Sequence, residues 1–83
     1  MNITLKATGP MGRFLPAGSS GSLAEIAVAQ DATAVDVMRQ LGIPEEGSYL
    51  VSLNGTALPK AERGERKLAE GDTLAILPPL RGG

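Results

Sequence analysis

The chain has 83 residues, 42% of them hydrophobic and 20% charged, which suits one compact globular domain and leaves too little length for a second. Its net charge of -1 argues against a nucleic-acid partner, and no apolar run reaches the ~20 residues that a bilayer requires, so we expect a cytoplasmic protein that binds no membrane. Cys and His are both absent, which removes thiol and imidazole chemistry together with the commonest zinc ligands, so no metal site is predicted.

Two strands are predicted in the first third of the chain. In residues 1–8, Ile3, Leu5 and Ala7 alternate with polar residues, as in a half-buried strand. Residues 9–22 are rich in Gly and Pro and predict a long connection that Phe14 and Leu15 attach to the core. Residues 23–29 alternate again, so the two strands should form a hairpin.

A helix is predicted to start at Thr33 and to run to about residue 41. The Thr33 hydroxyl can cap the first turn, and Asp36 suits the positive end of a helix. Four apolar residues at helical spacing form one stripe: Ala34, Val37, Met38 and Leu41. Gly42 and Pro44 supply the stop, so this helix should cover one face of a sheet.

The second half of the chain predicts two or three further strands. They occupy residues 49–53, 56–58 and 73–77. Asn54 and Gly55 favour a tight turn between the first two, while residues 59–67 are polar and turn-like. Two strands, a helix and further strands predict an α+β fold with a mixed sheet of four or five strands and one helix across it.

The last six residues predict an extended, flexible tail beyond a domain of residues 1–77. Pro78 and Pro79 cannot donate to a sheet and so end the last strand. Extended residues 78–83 could reach roughly 20 Å from the domain. Gly82 and Gly83 carry no side chain, so this end could enter a narrow channel and present a carboxylate that is ionised at pH 7.

Several segments together resemble the ThiS/MoaD family of sulfur carriers, whose ubiquitin-like β-grasp domain ends in Gly-Gly. The segments are DATAVDV at residues 31–37, VSLNG at 51–55, LAEGD at 68–72 and LPPLRGG at 77–83. The resemblance covers nearly the whole chain and implies a β-grasp fold, with Gly83 as the residue that carries sulfur.

The resemblance also implies the partners. A ubiquitin-activating-type adenylyltransferase would use ATP and Mg to adenylate Gly83, and the chain itself would bind no cofactor. A cysteine desulfurase or rhodanese-like donor would then supply sulfur, and the thiocarboxylate would serve an acceptor synthase subunit in molybdopterin or thiamine biosynthesis. The chain would be a carrier, or the small subunit of a synthase, with no catalytic residues of its own. The residues expected to be recognised in the tail are Pro78, Pro79, Leu80, Arg81 and Gly82.

Two other functions fit the same pattern. The ending Arg81-Gly82-Gly83 also matches ubiquitin, so the chain could be a protein modifier joined through Gly83 to lysines. It could also be an interaction domain whose tail is unused. A carrier accumulates a thiocarboxylate, a modifier appears as conjugates, and an interaction domain stays unmodified.

A partner-binding face is predicted from the alternation in the last strand. Leu74 and Ile76 should point at the helix, which leaves Ala75 and Leu77 on the opposite face near Leu50. Such an apolar face could dock an enzyme, although scattered apolar residues are also ordinary on protein surfaces.

Overall fold

The computed structural model describes residues 1–15, 21–43 and 49–78. Within these ranges the chain forms strands and one α-helix in the predicted order, with two short 3₁₀ helices in the connections. The elements are β1 (Asn2–Ala7), a first 3₁₀ helix (Gly9–Phe14), β2 (Leu23–Ala27), α1 (Ala34–Leu41), β3 (Leu50–Leu53), β4 (Thr56–Ala57), a second 3₁₀ helix (Lys60–Glu62) and β5 (Thr73–Leu77).

The described strands form one mixed sheet in the order β2-β1-β5-β3-β4. The last strand, β5, occupies the middle of the sheet, where it runs parallel to β1 and antiparallel to β3. Leu5 of β1 and Val51 of β3 lie opposite Leu74 and Ile76 of β5, respectively. The predicted α+β fold and the predicted β1–β2 hairpin are therefore confirmed.

The core lies between α1 and one face of the sheet. Inward residues of the strands and the apolar stripe of α1 belong to a single buried cluster. Its largest fully buried side chains are Ile3, Leu5, Val37, Met38, Leu74 and Ile76. The alternation predicted for the first strand and the helical stripe are both confirmed, except that Leu41 at the end of α1 is only partly buried.

Local hydrogen bonds explain where α1 begins and ends. The Thr33 hydroxyl accepts a bond from the Asp36 backbone N–H at 3.3 Å, and the Asp36 carboxylate accepts one from the Thr33 N–H at 3.0 Å. This reciprocal pair satisfies two backbone donors that a helix start leaves open. Gly42 ends the helix with a positive φ of 76°, a conformation that glycine adopts without steric cost. Pro44 lies outside the described residues.

The predicted turn between β3 and β4 is also confirmed. Asn54 and Gly55 both have positive φ, 51° and 84°, as a type I′ turn requires. The Asn54 side chain also accepts a hydrogen bond from the Thr73 N–H at 2.8 Å and donates one to Asp72 at 3.0 Å. The turn is thereby joined to the start of β5.

Most element boundaries lie within one residue of the prediction, and larger differences occur at two places. Gly9–Phe14 forms a 3₁₀ helix inside the predicted connection, and Phe14 and Leu15 pack against the core as expected. β2 ends at Ala27 instead of residue 29, because its pairing with β1 runs out where the Val28 N–H reaches the Met1 carbonyl oxygen at 2.8 Å. In the part of the chain described, no helix has the length and apolar character needed to span a membrane.

Candidate docking surface and the root of the tail

The root of the predicted tail is held at the centre of the sheet. Ile76 accepts a hydrogen bond from the Thr8 N–H at 3.3 Å on one side, and Leu77 pairs with Leu50 on the other. Pro78 follows directly and is half-buried. A Cβ placed on Gly9 would lie 3.5 Å from Pro78 Cγ, so the first 3₁₀ helix runs close beside this residue. These contacts fix the position of Pro78, the first residue of the predicted tail, relative to the sheet.

Most of the predicted tail falls beyond that point. Pro79, Leu80, Arg81, Gly82 and Gly83 lie outside the described residues, so their predicted recognition by a partner stays a prediction. Of the six predicted tail residues, the structure places Pro78 alone.

The predicted partner face is present as an arrangement of side chains. Leu74 and Ile76 point into the core, and Leu77 and Leu50 face each other across neighbouring strands on the other side of the sheet. Leu50 is 41% exposed and Leu77 is half-buried. Ala75 lies on the same side but is only 8% exposed, so it contributes little accessible surface. Whether a partner binds this face stays a prediction.

An open groove of about 430 Å³ continues from this face toward β4 and the second 3₁₀ helix. Leu50 and Leu77 line one part of it, while Leu58 and Pro59 line another. The remaining lining includes the side chain of Arg63, the one charged residue that contributes to the described walls of this groove. We call these five residues the docking groove.

Arg63 is a functional candidate that sequence reasoning missed. It is only 7% exposed, although it lies within residues 59–67, for which the sequence predicts a polar, turn-like segment. Its Nε–H donates a hydrogen bond to the Leu58 carbonyl oxygen at 3.4 Å, and its guanidinium carbon lies 5.4 Å from the centre of the Tyr49 ring. No signal in the sequence distinguishes Arg63 from the exposed Arg66 nearby.

The described residues offer no alternative metal-based site. No group of three or more carboxylates among residues 1–15, 21–43 and 49–78 is arranged to hold a metal ion.

Comparison with known proteins identifies a family whose sequence model matches most of the chain. The sequence model of the ThiS family matches residues 19–83, which is well over half of the chain and includes the Gly82-Gly83 ending. The comparison with curated proteins found no match.

Solved structures share the fold. Small archaeal modifier protein 1 from Haloferax volcanii is 24% identical, with a TM-score of 0.71, and the alignment covers 95% of this chain and 98% of that one. The thiamine biosynthesis protein ThiS from Geobacter metallireducens is 19% identical over 100% of both chains, with a TM-score of 0.68. A complex of subunits 1 and 2 of the molybdopterin-converting factor from Helicobacter pylori contains a chain that is 19% identical over 100% of both chains, with a TM-score of 0.65. The ubiquitin-like β-grasp fold is thereby confirmed.

Proposed function

The chain belongs to the ThiS family, and we propose that it is a sulfur carrier which is adenylated at the carboxylate of Gly83 and then converted to a thiocarboxylate. The observation that carries this proposal is that the family match extends through residue 83, so the Gly-Gly ending belongs to the shared pattern. The lack of cysteine supports it as well, since no side-chain thiol is available to hold transferable sulfur.

The proposed chemistry takes place in two steps. A carboxylate oxygen of Gly83 attacks the α-phosphorus of ATP, and pyrophosphate leaves. Sulfide then attacks the carbonyl carbon of the acyl-adenylate, and AMP leaves with the oxygen that joined it to the chain. ATP is needed because a free carboxylate is a poor electrophile, whereas the acyl-adenylate carries AMP as a good leaving group. The chain supplies the carboxylate and its delivery, whereas the adenylyltransferase supplies the ATP and Mg site.

The structure supports delivery of the tail. Since β5 is paired on both sides up to Ile76 and Leu77, a partner that holds the sheet also fixes where Pro78 begins. Fixing the approach of a reacting group in this way can contribute several orders of magnitude to a rate. The partner can then read residues 79–83 in a channel at a set distance from the docking groove.

We expect the only covalent change on activation to occur at Gly83. Incubation with the cognate adenylyltransferase, ATP, Mg and sulfide should raise the intact mass by the difference between one sulfur and one oxygen atom. Fragmentation should place that change on the C-terminal residue. Removal of Gly83 should abolish both the mass change and pyrophosphate release, because the next carboxylate would lie one residue short of the reaction centre.

The same mass spectrum separates the proposal from its rivals. A mass change on a side chain would contradict it. Covalent conjugates with lysines of other proteins, formed with no thiocarboxylate, would favour a modifier, a function consistent with Arg81 before the Gly-Gly ending and with the shared fold of the archaeal modifier protein. A chain that stays unmodified would favour the remaining alternative, an interaction domain.

Leu50→Glu should weaken binding to the adenylyltransferase at least about tenfold, because it places a charge in an apolar contact. The fold should remain cooperative, since Leu50 is 41% exposed and surface substitutions usually change stability by about 0.5 kcal/mol or less. Titration calorimetry with the enzyme would measure the loss.

Leu23→Glu provides the matched control. Leu23 is 46% exposed and also lies on the open side of the sheet, but β1 and β5 separate its strand from β3. At ~4.8 Å between neighbouring strands, this puts it roughly 14 Å from β3, the strand that carries Leu50. Unchanged affinity in a folded Leu50→Glu protein would exclude the predicted face, and an equal loss in both variants would assign the effect to surface charge in general.

A further inference from the structure

Arg63 carries donors that no described residue accepts. A guanidinium has five N–H donors, and within residues 1–15, 21–43 and 49–78 the Nε–H alone has an acceptor, the Leu58 carbonyl oxygen. No side-chain nitrogen or oxygen of the described residues is both sealed from solvent and unpaired. The unpaired Nη donors of Arg63 therefore keep access to solvent, and Arg63 is one of the residues that line the docking groove.

No carboxylate of the described residues neutralises Arg63. Across residues 1–15, 21–43 and 49–78, its side-chain interactions are the bond to Leu58 and the contact with the Tyr49 ring. Glu62 is adjacent in sequence but lines a different groove, together with Arg66. A largely buried cation that has no charged partner among the described residues is costly, and a carboxylate from a partner protein would supply one.

The walls around Arg63 define what could reach it. Leu50, Leu58, Pro59 and Leu77 present apolar surface next to the guanidinium. A planar guanidinium can bind a carboxylate through two parallel hydrogen bonds, and such pairs are strongest where water is excluded. The groove therefore fits a segment with an Asp or Glu beside an apolar side chain.

We propose that Arg63 anchors an acidic side chain of the activating adenylyltransferase, while the apolar part of the docking groove receives a neighbouring apolar side chain. This inference rests on the proposed function and adds that the enzyme presents an acidic side chain to the docking groove. Leu77, which lines the groove, is adjacent to Pro78, so the anchor and entry of the tail into the enzyme are compatible in one complex. Arg63 is a positioning residue, because the reacting atoms are at Gly83.

The test compares variants in ATP–pyrophosphate exchange catalysed by the adenylyltransferase. Arg63→Met keeps most of the side-chain stem but removes the charge, and it should raise the KM for the chain at least about tenfold with kcat unchanged. Arg63→Lys should raise the KM less than Arg63→Met does, because lysine keeps the charge but cannot form two parallel hydrogen bonds to a carboxylate. Added NaCl should raise the wild-type KM and have little effect on Arg63→Met. The control, Arg66→Met, removes an exposed charge nearby and should behave as wild type.

A wild-type KM for Arg63→Met, or an equal rise for Arg66→Met, would overturn the inference while leaving the proposed function intact. Absence of exchange with the wild-type chain would overturn both. A second measurement uses the wild-type chain and so does not depend on whether Arg63→Met folds. In the wild-type chain bound to the enzyme, NMR should show the Arg63 Nη protons in slowed exchange and rotation. If binding of the enzyme shifts the Leu50 amide signal while the Arg63 Nη protons exchange and rotate as in the free chain, the result would contradict the anchor.

Discussion

Gly82→Val is expected to abolish activation of the chain and leave its thermal stability unchanged. If the adenylyltransferase reads the tail in a narrow channel, a branched side chain next to Gly83 obstructs the approach of the carboxylate to ATP. A displacement of ~1 Å can cost on the order of a hundredfold in rate. Residue 82 lies beyond β5 and outside the described core, so stability should shift by no more than ~0.5 kcal/mol. Pyrophosphate release and a thermal melt of the same sample would measure the two effects.

Two variants that each add one methyl group to a glycine provide the control for this prediction. Gly82→Ala should reduce activation measurably, whereas Gly12→Ala should not. A Cβ on Gly12 would meet its nearest neighbour, the Ala7 carbonyl oxygen, at 3.8 Å, which is an ordinary contact. Normal adenylation of a folded Gly82→Val chain would show that no narrow channel reads the tail.

Leu74→Ala should cause a large loss of stability in this domain. Leu74 is fully buried in the central strand, between Leu5 of β1 and Leu53 of β3. Leu→Ala substitutions at such sites cost roughly 3–5 kcal/mol, because the cavity does not fully close. Domains have only ~0.05–0.15 kcal/mol of stability per residue, so much of the total is lost. Thermal melting should show Tm lowered by at least about 10 °C.

Leu50→Ala removes the same atoms from the neighbouring strand on the open side of the sheet. Because Leu50 is already 41% exposed in the folded chain, the cost should stay near or below about 1 kcal/mol. A Leu74→Ala protein that melts within about 2 °C of wild type would contradict the position of the core. A Leu50→Ala loss as large as that of Leu74→Ala would do the same.

The helix and the tight turn could be predicted from the sequence because each depends on neighbouring residues. The Thr33–Asp36 pair caps α1 through bonds between residues three apart, and positive φ at Asn54 and Gly55 is a property of those residue types. Alternation in β5 likewise determines which side chains point at α1. Each of these features can be recognised without knowing which residues lie on the opposite side of the domain.

The docking groove could not be predicted in this way, because it brings together residues that are distant in sequence. Arg63 looks like any charged residue in a polar turn, and its burial depends on Tyr49 and Leu58 lying beside it. Ala75 shows the same limit. Alternation placed it on the open side correctly, but its low exposure follows from its neighbours in β1 and β3, Lys6 and Ser52.

The parallel pairing of β1 and β5 gives the domain a mechanical property. The start of β1 and the end of β5 point to opposite ends of the pair, with Thr4 opposite Thr73 and Ala7 opposite Ile76. A force that pulls on the tail while the first residues are held would therefore load the hydrogen bonds between these strands in shear, all at once. Strands pulled apart in this direction cannot separate one bond at a time. A domain loaded in this way should resist extension when it is pulled from the end of β5.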